Sequence, residues 1–332
     1  MWTWNWNPEY LYADSFFLTD LATRIGQGTD HMWFGGAIIS VGNSCTTAQP
    51  IQESKAYQYR LAEAQARGQG VQRFMTCNYG PDSRQGKFLT DYIQAGGRFV
   101  NLHTSGDQDI DNILQVIERA SKDAGMTDEQ IRAKRHGLDH NVMWPRPDQI
   151  PVLKRLGILS SGDAYEIVMA SPTVMDLFGE KAASWVVPKK SLMQAGVYNS
   201  FEIDRPIQTT SNVTIFSAGI SPMITRKAWN GQVYAPNEAI DRQAALKVAT
   251  YFGAYYLLRE KLIGSLETGK FADFLVLDKD YLAVPESEIE NLRVLMTVVG
   301  GKVVHLVPSL AKEVGMQPTG AQISLGGAAA GW

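Results

Sequence analysis

The sequence is poor in cysteine, with two among its 332 residues, Cys45 and Cys77. Two thiols so far apart predict neither a disulfide framework nor a cysteine-rich zinc site. A reducing compartment, and with it a cytoplasmic location, is therefore the expectation. No stretch approaches the roughly 18 apolar residues that a membrane span needs. The opening residues 1–8 also lack the basic and apolar regions of a secretory signal.

An excess of charge of either sign is also missing, since 34 acidic and 31 basic side chains leave a net charge of −3. This balance gives no electrostatic reason to bind nucleic acid or an anionic membrane. The glycine pairs at 35–36, 96–97 and 300–301 lack the strand and helix context of a dinucleotide or phosphate loop. With 45% hydrophobic residues, the chain can bury a large core. A small-molecule substrate is the expected partner.

Short apolar strands alternate with helices through most of the chain. Strands are predicted at 98–103, 137–144 and 197–203, and residues 107–120 carry an apolar stripe with helical spacing. Alternation at this spacing predicts parallel β/α units.

The pattern changes after about residue 260. Residues 264–307 hold β-branched runs, and Gly300-Gly301 between two of them predicts a tight hairpin. We therefore predict a β/α body over 1–260, a β-sandwich module over 261–308 and a flexible tail over 309–332.

Candidate site residues come from strand ends. The five histidines are His31, His103, His136, His140 and His305. His103 ends one predicted strand, His140 lies in the next, and Asp204 follows a later one. Active sites of β/α barrels form at the carboxyl ends of the strands. Imidazole and carboxylate together suit zinc or a similar divalent ion.

Each candidate also has a structural alternative. A single histidine at a strand end is more often a satisfied polar group than a ligand. Asp204 precedes Arg205-Pro206 and fits a turn. His136 is expected to be solvated, and His305, in the β module, is expected to be structural.

Five segments resemble amidohydrolase family 3. LHTSGD before a helix is similar to the family's strand-5 motif His-x-x-Gly-Asp, and RHGLDHNVMWPRP is similar to its strand-6 segment. AGVYNSFEIDRP resembles its strand-8 segment, and residues 223–250 resemble the helix after it. GSLETGKFAD closely matches the C-terminal signature Gly-Ser-x-x-x-Gly-Lys-x-Ala-Asp. Together the matches run from about residue 80 to 307.

The resemblance implies an α/β fold, a (β/α)8 TIM barrel followed by a small β-sandwich. It implies that His103 and His140 are metal ligands and that Asp204 takes a proton from the attacking water. The metal would be divalent, with zinc preferred. The implied reaction is hydrolysis of an amide-type carbon–nitrogen bond other than a peptide bond.

The chain departs from the family pattern in three places. No histidine has another two residues away, so the strand-1 His-x-His pair is absent. WFGGAIISVGNS, residues 33–44, resembles the family's strand-4 segment, but the lysine and aspartate expected there would fall at Ile38 and Gly42. Glu202-Ile203 replaces the strand-8 Gly-Ser. Three interpretations stay open: an enzyme fragment, a mononuclear enzyme, or a non-catalytic relative that keeps the barrel for small-molecule binding. The absent pair favours the first or the third.

We therefore expect an incomplete barrel, from about strand 4 to strand 8. Its partner would be a missing N-terminal segment, which could carry a localisation signal, or a second copy in a homo-oligomer. Trp2, Trp4 and Trp6 have no evident partner, as in a severed interior. The isolated chain is expected to fold poorly, to bind zinc weakly and to show negligible amidase activity.

Overall fold

The computed structural model describes residues 1–6, 15–39, 45–68, 77–203 and 215–320. These residues form a mixed α/β fold with one larger parallel sheet and one small antiparallel sheet. Among them, no helix has the length and apolar character to cross a membrane.

The larger sheet has six strands whose order in space is their order in the chain. They are β1 Trp2–Trp6, β2 Phe34–Ile39, β3 Phe99–Gly106, β4 Gly137–Met143, β5 Leu159–Asp163 and β6 Asn199–Glu202. Every neighbouring pair is parallel, which confirms the predicted parallel β/α units. Within the described residues, β1 and β6 each pair with one strand. The incompleteness of the barrel stays a prediction.

Helices connect the parallel strands, as such neighbours require, and further helices follow β6 and β9. They are α1 Ser15–Thr23, α2 Lys55–Ala66, α3 Arg84–Gln94, α4 Asp107–Asp123, α5 Asp128–Lys134, α6 Ile150–Leu156, α7 Ala164–Met169, α8 Ser171–Ala183, α9 Lys189–Gln194, α10 Ser221–Thr225, α11 Arg242–Lys247, α12 Gly253–Tyr256 and α13 Pro308–Val314. A π-helical segment, Val248–Phe252, joins α11 to α12.

An incomplete barrel from strand 4 to strand 8 would have five strands. The sheet has six, so β1 was not anticipated. The Trp4 ring lies 5.3 Å from the ring of Phe17 and 5.7 Å from that of Phe88. Such aromatic pairs contribute about 0.5–1.5 kcal/mol each beyond their buried area. The expectation that Trp4 lacks a partner was therefore wrong, because its partners come from α1 and α3.

Helix α4 packs its predicted apolar stripe into the core. The buried residues of this stripe are Ile110, Ile113, Leu114, Ile117 and Ala120. Neither Asp107 nor Asp109 caps the helix, since its N-cap residue is Gly106. Their carboxylates instead accept hydrogen bonds from the loop 45–47, so this loop is attached to the start of α4.

The small sheet consists of β7 Phe274–Leu277, β8 Val294–Val299 and β9 Lys302–Leu306. Both pairs are antiparallel, and Gly300 and Gly301 form the turn with φ of 56° and 76°. These positive φ values explain the two glycines, because other residues rarely adopt them. The predicted hairpin and antiparallel sheet are confirmed.

Part of the expected tail has regular structure. Helix α13 follows β9, and Thr319 pairs with Leu306. Residues 321–332 lie outside the described residues. The domain boundaries at 261 and 309 stay predictions.

The two cysteines are bonded to each other. Cys45 follows β2 and Cys77 precedes α3, and their Cα atoms lie 4.9 Å apart. The expectation that these thiols do not pair was wrong. The reason lies in the tertiary structure, which brings Cys77 beside Cys45 although α2 lies between them in the chain.

Candidate metal centre

Neighbouring strands β3 and β4 bring two of the predicted site residues together. The Nε2 atom of His140 lies 2.5 Å from the Nδ1 atom of His103. The rings are nearly perpendicular, at 88°, with centroids 4.0 Å apart. Asp204, the third predicted residue, lies outside the described residues. The structure thus brings the two imidazole rings into direct contact.

The backbone of β4 is unusual at this point. His140 and Asn141 have φ of 68° and 55°, in the left-handed region that costs L-residues about 1–3 kcal/mol each. Asn141 is held there because its Oδ1 accepts a hydrogen bond from Ser160 Oγ at 2.8 Å. In a regular strand, consecutive side chains point to opposite faces. Here the side chains of Asp139 and His140 both lie close to the side chain of His103.

The third member of the cluster is Asp139. Ligand atoms of His103, Asp139 and His140 all lie within 4.8 Å of one another. The carboxylate is buried, and its Oδ1 atom has no hydrogen-bond partner among the described residues. Burial raises the pKa of Asp139 to about 8, and the charge of Glu202 adds to the rise. A buried oxygen without a donor is costly, so these residues fit a divalent cation, which would interact with that oxygen.

Glu202, the last residue of β6, contacts the far side of the His140 ring. Its Oε1 atom lies 2.9 Å from His140 Nδ1 and accepts a hydrogen bond from His140 N at 2.7 Å. Its Oε2 atom accepts a hydrogen bond from Ser161 Oγ at 3.1 Å. The sequence marked Glu202 only as a departure from the family pattern. No sequence pattern connected Glu202 with His140. The two residues meet only through the fold, in which β5 lies between β4 and β6.

Two further buried titratable groups, Lys189 and Asp163, lie near enough to Glu202 for its charge to act on both. Lys189, at the start of α9, is buried and donates a hydrogen bond to the carbonyl oxygen of Ser200. Burial lowers the pKa of Lys189 to about 7 and raises the pKa of Asp163 to about 7. A Cβ added at Gly162 would lie 2.8 Å from Lys189 Nζ. A larger residue at position 162 would therefore require the Lys189 side chain to move.

The other histidines lie elsewhere. His136 is buried, and its Nδ1 atom accepts a hydrogen bond from Phe99 N at 3.1 Å. Burial lowers the pKa of His136 to about 3, so the expectation of a solvated histidine was wrong. His305 lies in β9 of the small sheet, and His31 is exposed.

Comparison with known proteins identifies the family of the chain. The model of the amidohydrolase family matches residues 87–305. The chain belongs to this family. It is 26% identical over 212 residues to YtcJ of Bacillus subtilis, covering 63% of this chain and 38% of that protein. It is 31% identical over 143 residues to the N-substituted formamide deformylase of Arthrobacter pascens, and this match covers 40% of this chain and 26% of that protein. The chain thus spans less than half the length of these relatives.

The fold is also similar to that of a metal-dependent hydrolase from Pyrococcus furiosus. The TM-score is 0.57 at 19% identity, and the match covers 81% of this chain and 50% of that one. This likeness concerns the fold. The family match confirms the resemblance of the motifs to amidohydrolase family 3.

Proposed function

We propose that this chain carries a metal-dependent hydrolase site that acts on carbon–nitrogen bonds other than peptide bonds. In this proposal His103, His140 and Asp139 hold one divalent ion, with zinc preferred. The observation that carries it is the cluster of two imidazole nitrogens and one carboxylate oxygen within 4.8 Å. Asp139 also has a buried oxygen, Oδ1, that finds no hydrogen-bond partner in the described part of the chain. Three nitrogen or oxygen ligands are the usual protein set of a catalytic zinc site.

An ion in this cluster would polarise an amide carbonyl and acidify water. The two histidines would hold and orient it, while Asp139 would balance part of its charge. By resemblance to the family, Asp204 would take the proton from water and pass it to the leaving amine. The support for Asp204 is the sequence, since this residue lies outside the described part of the chain.

The number of ligands bears on the expected affinity. The sequence suggested weak zinc binding, with two imidazoles and Asp204 as the only candidates. Asp139 adds a second carboxylate directly beside His140. The ligand number sets much of the affinity for zinc, so the proposal favours one bound ion over none. The name of the Arthrobacter pascens relative makes N-substituted formamides the first substrates to test.

Zinc titration of the metal-free chain tests the proposal. Calorimetry and competition with a chromophoric chelator should show one ion per chain. His103→Ala or His140→Ala should weaken binding by at least the roughly 10–100-fold that loss of an outer-shell partner costs, because each removes a ligand itself. His31→Ala, at an exposed histidine outside the cluster, is the matched control and should bind as the wild type does.

Activity is measured on the same preparations with an N-substituted formamide and a cyclic amide. The zinc-loaded wild type should turn over a substrate of this class, and Asp204→Asn should lose turnover while keeping the ion. A wild type that binds no zinc, or equal binding by the histidine variants, would contradict the metal site. It would favour the other two interpretations, an enzyme fragment or a non-catalytic relative whose barrel only binds small molecules.

A further inference from the structure

We propose that Glu202 is a positioning residue that fixes the tautomer and orientation of the His140 imidazole. In this arrangement His140 Nδ1–H donates to Glu202, and the lone pair of Nε2 faces His103. The consequence of this arrangement, a higher metal affinity, rests on the proposed function. The tautomer and the orientation of the ring can be tested without a metal.

The assignment of the proton follows from donor and acceptor chemistry. An ionised carboxylate only accepts hydrogen bonds, and a neutral imidazole carries one N–H group. Glu202 Oε1 lies 2.9 Å from His140 Nδ1, so the proton of a neutral ring belongs on Nδ1. The Nε2 atom, 2.5 Å from His103 Nδ1, is then the nitrogen that is available to a ligand.

Two further contacts hold the carboxylate in place. Glu202 Oε1 also accepts from the backbone N of His140 at 2.7 Å, and Oε2 accepts from Ser161 Oγ at 3.1 Å. The side chains of His140 and Glu202 are only 10% and 20% exposed, so water competes little for these bonds. The carboxylate thus binds both the ring and the left-handed backbone of one residue.

The geometry separates Glu202 from the ligand set itself. Its carboxylate contacts Nδ1, whereas His103 lies on the Nε2 side of the ring. Glu202 is also not a member of the cluster formed by His103, Asp139 and His140. Glu202 therefore acts through His140. Carboxylates in this relation to a ligating histidine set the ring orientation and its basicity, and their loss costs about 10–100-fold in metal affinity.

The first test needs no metal. Long-range nitrogen–proton NMR of histidine-labelled, metal-free chain should show His140 as the Nδ1–H tautomer in the wild type. Glu202→Ala should shift His140 to a mixture or to the Nε2–H form, and Glu202→Gln and Glu202→Asp serve as milder variants if the alanine variant does not fold. Glu118→Ala, which removes a half-buried carboxylate that is paired with Arg155 and lies outside the cluster, is the matched control and should leave the tautomer unchanged.

The second test is zinc affinity by chelator competition on the same proteins. Glu202→Ala should weaken binding roughly 10–100-fold, and Ser161→Ala should weaken it less. An unchanged tautomer together with zinc affinity within about twofold of the wild type would overturn the role of Glu202. If the wild type binds no zinc, the proposed function fails, and an Nδ1–H tautomer that depends on Glu202 would still support the positioning role.

Discussion

The Nε2 atom of His140 lies 2.5 Å from the Nδ1 atom of His103, although 37 positions separate the two residues in the chain. They belong to neighbouring parallel strands, in which Thr104 is in register with His140. The left-handed backbone at His140 accompanies this contact. Strain of this kind persists where the surrounding structure holds it, and such positions cluster at functional sites.

The first prediction concerns Asp139. Its pKa of about 8 lies above the ordinary value near 4, so the folded state binds more protons and stability falls as pH rises from about 4 to 8. Asp139→Asn should remove this cost and raise the melting temperature of the metal-free chain at pH 8. The same change should weaken zinc binding, because it removes a charged ligand.

Both effects can be measured by thermal unfolding and chelator competition. Asp148→Asn, at an exposed carboxylate paired with Arg146, is the control and should leave zinc affinity unchanged. A lower melting temperature together with unchanged zinc affinity in Asp139→Asn would show that the carboxylate is a structural group.

The second prediction concerns the pH dependence of stability through His136. Burial lowers its pKa to about 3, below the ordinary value near 6.5. As the pH falls, His136 is therefore protonated in the unfolded state before it is protonated in the folded state. The free energy of unfolding accordingly decreases as pH decreases from about 6.5 to 3. The slope from this one group is about 1.4 kcal/mol per pH unit.

Replacement of this histidine should remove that part of the slope. His136→Asn keeps an acceptor for the Phe99 N–H group but does not titrate in this range. Urea unfolding between pH 4 and 6.5 should show a shallower dependence for His136→Asn, while His31→Asn should match the wild type. Parallel curves for all three proteins would mean that His136 does not differ between the folded and unfolded states.

The third prediction concerns the buried guanidinium of Arg98. It donates to the carbonyl oxygens of Gly35 at 2.6 Å, Tyr256 at 2.9 Å and Arg135 at 3.0 Å. Arg98→Met would leave these carbonyl groups without that donor, and each unsatisfied buried group costs about 1–3 kcal/mol. We expect a loss of about 3–5 kcal/mol in the free energy of unfolding, measured with urea.

Arg119→Met is the control, because Arg119 is largely exposed on α4 and makes only a surface ion pair. It should change the free energy of unfolding by less than about 0.5 kcal/mol. Equal stability of the Arg98→Met and Arg119→Met variants would contradict the structural role of Arg98.

The fourth prediction concerns the bond between Cys45 and Cys77. The bridge closes a loop with a sequence separation of 32. Loop closure on this scale restricts the unfolded chain and contributes about 3–4 kcal/mol. Addition of a dithiol reductant, or the double change Cys45→Ser with Cys77→Ser, should lower the stability by this amount, and reductant should not affect the double variant. Two alkylatable thiols in protein purified without reductant would contradict the bridge.

Local sequence patterns determined much of the fold. The spacing of Ile110, Ile113 and Ile117 predicted α4, and Gly300-Gly301 predicted the hairpin between β8 and β9. These features depend on residues close in the chain, where side-chain period and backbone preference are readable. The motifs that matched the amidohydrolase family are of the same kind, since each is a short continuous segment.

The tertiary structure alone decided the contacts between distant segments. The pairing of Cys45 with Cys77, the burial of His136 and the contact of Glu202 with His140 all depend on which strands are neighbours and in what register. A shift of register by one residue would turn every side chain of a strand to the other face. No local pattern contains that information, so the sequence could name His103 and His140 but not the two carboxylates, Asp139 and Glu202, that surround them.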